Sequence, residues 1–431
     1  MSRLVRRMLA FCAVLCLHAA SSLHAQPPAP GVDPALDAAR AERGGTLEVL
    51  LYTFGPGNVI FENFGHNALI IRDTVTGRSF AYNWGMFDFD QPNFLGRFLT
   101  GDTRYWVGVY ETNDMLAAYR AENRSIRRQK LALTPAERGA LFDFVQWNSR
   151  EENAFYRYDY YSDNCSTRIR DALDRVLLGQ LERRLDEPGA GRTWRSETER
   201  LLSGNLAAYA GIQLALGRNA DKTLTRWEEA FLPEHLADGI ADMAVLTDDG
   251  RRVRLVTEDS VVFSANRRPL PSEPPQWLSM GVLLGLMLAG GVAVLADSRR
   301  KAARVVLGAG VMLWYAIAGI TGTALLLAAT VTKHAPYMGA NNNLLVVNPL
   351  SLIAAAVVPL ALWRTNRTRT AAGVSTAIAV LSIAAVVLQL LPAFRQRNGL
   401  VLAVMVPVHI ALAFAVYRLQ HVADRSRQAL D

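Results

Sequence analysis

Five uncharged apolar stretches, 278–296, 305–330, 344–363, 371–394 and 399–417, fill the last third of this 431-residue chain and limit what it can fold into. At roughly 1.5 Å per helical residue, each can cross a hydrocarbon core about 30 Å thick. The charges between them choose an orientation. Arg299, Arg300, Lys301 and Arg304 follow the first stretch, Arg364, Arg367 and Arg369 the third, and Arg418, Arg425 and Arg427 the fifth. The alternate loops hold only Lys333, Arg395 and Arg397. The positive-inside rule puts the richer set in the cytoplasm, so everything before the first stretch is expected on the outer side of the membrane.

The N-terminus leads to the same topology independently. Arg3, Arg6 and Arg7 precede an apolar run from Met8 to His18, and small residues lead to Leu23-His24-Ala25. This is the order of a secretory signal peptide, expected over residues 1–25 with the cut after Ala25. Cys12 and Cys16 invite comparison with a lipoprotein signal, but bulky Phe11 and Leu15 precede them and both lie too early. The expected organisation is a signal peptide (1–25), a Pro-rich linker (26–44), an exported domain (45–276) and a transmembrane domain (277–431). Most of the net charge of +7 belongs to the two hydrophobic ends: residues 277–431 hold 13 of the 46 basic residues and three of the 39 acidic ones. The exported part is mildly acidic, which excludes a nucleic-acid footprint.

Removing the signal leaves one cysteine of three, Cys165, without an internal disulfide partner in an oxidising compartment. It is either a small buried apolar residue or a nucleophile. Residues 166–178 carry Ile169, Leu173, Val176 and Leu177 at helical spacing, and Asp163 or Asn164 is placed to cap that helix. Cys165 then falls in the first turn, where unsatisfied N–H groups and the helix dipole favour thiolate. The polar neighbours Asp163, Asn164, Ser166, Thr167 and Arg168 argue against an apolar burial. Of the histidines expected on the outer side, His235 reads as surface packing at an ordinary helix start and His334 lies in the loop 330–343. His66 opens a strand after Phe64-Gly65 and is the candidate base. Asn83 on the partner strand is the candidate to orient its imidazole, with Tyr82 second. HExxH and CxxC spacings are absent, so no metal or other cofactor is expected.

The exported part mixes both element types. Strands are expected over 46–53, 66–72, 79–84 and 126–133, and helices over 93–99 and 114–121. A further helix starts at the capping box Thr134-Pro135-Ala136-Glu137. The class is therefore α+β followed by an all-α membrane domain. His334, Asn341 and Asn343 in the outer loop, with Arg168 beside the thiol, are candidate substrate contacts that could orient lipid headgroups. The alternative for the loop is a solvated turn with helix caps.

Four blocks carry a resemblance: Phe64-Gly65-His66-Asn67, Tyr82 to Phe89, Pro92-Asn93-Phe94, and Asp163-Asn164-Cys165-Ser166-Thr167-Arg168. In that order they resemble the N-terminal periplasmic domain of the Lnb family of bacterial lipoprotein N-acyltransferases, over about 46–236. The resemblance continues in Thr332-Lys333-His334, Asn341 to Leu345 and Asn348-Pro349. It implies that His66 and Cys165 match the family's proposed catalytic pair. It also implies a papain-like thiol fold of the circularly permuted NlpC/P60 type, the histidine preceding the cysteine by 99 residues.

The expected activity is acyl transfer from a membrane lipid, the donor, through a Cys165 thioester to the N-terminal amine of a diacylated lipoprotein, the acceptor. The expected location is the bacterial inner membrane, with the C-terminus in the cytoplasm. The same residues also suit a membrane-tethered cysteine amidase or peptidase of the cell envelope. A third class is a non-enzymatic envelope sensor with a buried thiol.

Overall fold

Alternating apolar residues build the centre of the exported part. A computed structural model describes residues 34–247, 250–363 and 368–428. The signal-peptide expectation lies outside these residues. Pro34–Gly44 is a helix, and the chain from Arg40 onward forms one unit. The first strands are β1 (Leu47–Phe54), β2 (His66–Asp73), β3 (Ser79–Met86) and β4 (Arg104–Glu111). With β5 (Ile126–Leu131), β6 (Phe155–Arg157) and β7 (Val256–Phe263) they form an antiparallel sheet in the order β7-β5-β1-β2-β3-β4-β6. Leu51 pairs with Leu69, and Leu69 with Tyr82.

Period-two alternation gives this sheet two apolar faces. Leu47, Val49, Leu51, Leu69, Ile71 and Trp84 share one core with residues of α3 (Pro135–Asn148), α4 (Cys165–Val176) and α7 (Pro233–Ala241). Leu50, Tyr52, Phe54, Ala68, Ile70 and Ala81 share another with Met115 and Leu116 of α2 (Thr112–Ala121). The short α1 (Phe94–Thr100) precedes β4, while α5 (Trp194–Leu201) and α6 (Leu206–Ala215) lie between α4 and α7 in the chain. The strands expected from the sequence are present with ends moved by a residue or two. β4, β6 and β7 were not anticipated. The fold is thus a mixed α/β domain with a sheet, followed by five apolar helices.

Those helices are α8 (Leu278–Asp297), α9 (Lys301–Val331), α10 (Leu350–Ala361), α11 (Thr368–Leu388) and α12 (Gly399–Gln428). The third apolar segment runs from Asn342 to Ala361, opening with a short 3₁₀ turn, Asn342–Leu345, before α10. Small residues bring the helices together, as expected where lipid removes the hydrophobic drive between them. A Cβ on Gly285 would lie 2.1 Å from the Ala403 carbonyl oxygen, so α8 and α12 touch backbone to backbone there. His409 of α12 bonds the Ser382 hydroxyl of α11 through Nδ1 at 2.7 Å.

Candidate active site

Asn164 starts α4 by accepting the backbone N–H groups of Ser166 (2.8 Å) and Thr167 (3.0 Å). Its amide nitrogen donates to the carbonyls of Tyr160 and Phe231, both at 2.9 Å. One side chain therefore fixes both the helix start and its seat, and Cys165 becomes the first helical residue. Ser166 donates to the Ala230 carbonyl at 2.7 Å and lies 3.2 Å from the Asn67 amide nitrogen. The polar neighbours of the thiol are thus mostly internal fasteners rather than signs of exposure. Cys165 itself is buried, against the expectation drawn from those neighbours.

His66 begins β2 on the opposite face of the sheet. Its ring is stacked with Phe54 (6.3 Å between centroids) and with Tyr119 of α2 (6.1 Å). Asn83 lies on the same face of neighbouring β3, and its Oδ1 is hydrogen-bonded to His66 Nε2. That bond assigns the proton to Nε2 and leaves Nδ1 with its lone pair. Tyr82 is directed elsewhere, its hydroxyl accepting from Gln146 at 2.6 Å.

Gly85 joins the two faces. Its φ of +94° lies in a region that favours glycine, and the β3–β4 register shifts between Trp84 and Met86. A Cβ placed there would lie 3.5 Å from Cys165 Cβ, 3.6 Å from Tyr158 Cε2 and 3.9 Å from His66 Cε1. The missing side chain leaves a gap where thiol, tyrosine ring and imidazole converge. Gly85 stands within a sequence block already singled out, but only the bulge and the positive φ reveal what it does.

Burial sets the protonation of this group. It pushes the Cys165 thiol up to about 11, although backbone N–H groups of Asn67, Ser166 and Cys165 pull it down. Burial also pushes the His66 imidazole down to about 4, the Asn83 bond opposing and the Arg124 charge assisting. The expected thiolate at a helix start is therefore not the resting form: desolvation outweighs the helix terminus. The pair rests as neutral thiol and neutral imidazole.

The remaining candidates lie elsewhere. Arg168 is held by the Asp163 carboxylate, with Nη2–Oδ2 at 2.7 Å, and its guanidinium lies 4.1 Å over the Tyr156 ring. His334 bonds the Phe98 carbonyl through Nε2 at 2.9 Å, tying the outer loop to α1. Asn341 donates to the carbonyls of Leu214 (2.8 Å) and Ala215 (3.0 Å). Asn343 donates to Gln213 (2.7 Å) and Leu214 (3.0 Å). The two asparagines fasten the membrane part to the end of α6, away from the thiol. His235 is mostly buried rather than on the surface, 3.3 Å from the Glu197 carboxylate.

Tyr337, which the sequence did not single out, reaches from the outer loop to the segment before the nucleophile. Its hydroxyl donates to Asp159 at 2.8 Å, and its ring packs edge-on against Tyr161 and Trp194.

No curated protein and no solved structure matches this chain. Two family models do. Residues 39–200 match the Lnb N-terminal periplasmic domain, and residues 279–420 match the Lnb transmembrane domain. Matched by both domains in their order, the chain belongs to the Lnb family, as a membrane protein with a periplasmic N-terminal domain and five apolar helices.

Proposed function

We propose that this protein is a thiol-dependent lipoprotein N-acyltransferase of the inner membrane. It moves a fatty acyl chain from a membrane lipid, through a thioester on Cys165, to the N-terminal amine of a diacylated lipoprotein. The observation that carries the reading is the convergence of Cys165 with the hydrogen-bonded His66–Asn83 pair around Gly85. The order of the site along the chain, histidine before cysteine, suits a permuted papain-like arrangement. The loop charges favour a cytoplasmic C-terminus.

The chemistry follows from the neutral pair. As Cys165 Sγ attacks the ester carbonyl, its proton passes to His66 Nδ1 and a C–S bond forms. The ester C–O bond breaks, and the departing alkoxide takes the proton back from the imidazolium. The lipoprotein amine then attacks the thioester: C–N forms, C–S breaks, and His66 relays the amine proton to the leaving thiolate. Asn83 holds the ring in the tautomer that both steps need. Backbone N–H groups of Asn67, Ser166 and Cys165, which lower the thiol pKa against burial, are the candidate donors to the oxyanion. A neutral base and an uncharged thiol suit a dry site that must admit acyl chains.

The test supplies phospholipid and a diacylated lipoprotein to the full-length protein, traps the acyl-enzyme and maps it by mass spectrometry. An acyl mass on Cys165, absent in Cys165→Ala together with lipoprotein N-acylation, is the expected result. N-acylation persisting in Cys165→Ala would overturn the scheme. Peptide release without lipid or thioester would replace it with the amidase reading.

A further inference from the structure

Apolar side chains that a soluble domain would bury are exposed together at one end of the exported sheet. Phe89 is 61% exposed, Leu95 66% and Leu99 61%, with Ile60, Phe61 and Phe98 exposed beside them. They come from three segments: the turn before β2, the loop after β3, and α1. Ring contacts join them into one surface. Phe61 packs against Phe89 at 6.4 Å, Phe89 against Phe94 at 5.1 Å, and Phe94 against Phe98 at 6.1 Å. Scattered exposed apolar residues need no explanation, but a contiguous aromatic face does.

What covers it follows from its attachment. Lys333, two residues beyond the end of α9, donates its backbone N–H to the Thr100 carbonyl at the end of α1, at 2.9 Å. Its ammonium lies 2.5 Å from the Asp102 carboxylate, and His334 bonds the Phe98 carbonyl. The exposed surface of α9 near its outer end, Leu326, Leu327 and Val331, is lipid-facing if α9 spans the bilayer. α1 is therefore fastened at the level where α9 leaves the hydrocarbon, with Lys333 and Asp102 at headgroup height. A face so placed meets the outer leaflet of the same membrane, not water.

The face is also continuous with the thiol. Phe87 packs on Phe89 (4.9 Å) and on Tyr105 (5.0 Å), and Tyr105 stacks on Tyr158 at 4.3 Å. Tyr158 Cε2 is one of the three atoms that surround the Gly85 gap beside Cys165. We propose that Phe89, Leu95 and Leu99 seat in the outer leaflet, and that the aromatic row from them to Tyr158 is the path by which an acyl chain reaches Cys165. The seating stands on geometry alone; the path rests on the thioester reading above.

The full-length protein is reconstituted in phospholipid vesicles carrying brominated acyl chains, with a bimane probe at Leu95→Cys or Val75→Cys and the native cysteines replaced. Val75, in the turn at the far end of β2, is exposed and serves as the water-facing control. Bromine quenching at position 95 several-fold stronger than at 75, with iodide showing the reverse, is the expected result. Equal iodide quenching at both positions would overturn the seating.

The path is read on Cys165-intact protein carrying Leu95→Asp and Leu99→Asp. Thioester formation from membrane lipid should fall at least tenfold, while alkylation of Cys165 by water-soluble iodoacetamide stays unchanged. Undiminished thioester would overturn the path. If the unaltered protein forms no thioester, the acyltransferase reading and the path fall together, whereas the quenching result still decides the seating.

Discussion

At the scale of single residues, the site works by burial rather than by a preformed ion pair. With the thiol pushed up to about 11 and the imidazole down to about 4, neither group is charged at neutral pH. Alkylation of Cys165 by iodoacetamide is therefore expected to be slow at pH 7 and to climb steadily through pH 9. A rate already level between pH 6 and 8 would indicate a thiolate–imidazolium pair and refute this protonation state. The same shift makes acid destabilising. Between about pH 6.5 and 4, the unfolded His66 binds a proton that the folded one refuses, so stability falls as pH drops through that window.

Asn83 offers a second test at this scale. In Asn83→Asp a carboxylate would face the imidazole and raise its pKa by more than about one unit, moving the acid limb of thioester formation upward. An unmoved limb with intact activity would remove Asn83 from the positioning role. The sequence reached Cys165, His66 and Asn83 through scarcity and strand pairing. It missed the resting protonation because the count of buried neighbours around a thiol depends on the whole sheet. Tyr119 and Tyr158 stayed hidden for the same reason.

At the scale of elements, the site depends on how one helix begins. Asn164 accepts two N–H groups of the first turn and donates to two carbonyls of other segments. Removing it in Asn164→Ala loses a cap and leaves buried carbonyls unpaired, an expected cost of about 2–4 kcal/mol. Asn164→Asp retains the accepting oxygens but cannot donate to Tyr160 and Phe231, and should fall between Ala and the native residue. Denaturant unfolding in micelles orders the three; an aspartate variant as stable as the native protein would show that the two donations contribute nothing.

Caps of this kind are legible because they are local. The Thr134 hydroxyl accepts from the Glu137 N–H and the Thr134 backbone N–H donates to the Glu137 carboxylate in return, as the four-residue signature announces. β4 was not anticipated despite Tyr105-Trp106-Val107, and its last three residues, Val109 to Glu111, are exposed. β6 has three residues and β7 is largely exposed on an edge, so neither carries a clear alternation. Their strand character comes from pairing with chain far away in sequence.

At the scale of the whole molecule, the five apolar segments could be read directly, whereas their seam with the exported part could not. His334 and the asparagines drew notice as substrate contacts, but the hydrogen bonds their side chains donate go to this chain's own backbone carbonyls. Asn343 is fully buried at the seam, donating to Gln213 and Leu214 of α6 and accepting from the Asn398 amide at 2.7 Å. Asn342 is only half-buried beside it, donating to the Phe394 carbonyl near the surface. Water can replace the Asn342 bond but not those of Asn343. Asn343→Ala takes the close partner from the Gln213 carbonyl and from the Asn398 amide in a dry seam, while Leu214 keeps its bond from Asn341, and at about 1–3 kcal/mol for an unsatisfied buried group should cost roughly 2–4 kcal/mol overall. Asn342→Ala should cost under about 1 kcal/mol, since its partner stays hydrated. Thermal unfolding of the two variants in the same detergent separates them. Equal losses would mean that the seam is hydrated, and that Asn343 is no more a structural fastener than its neighbour.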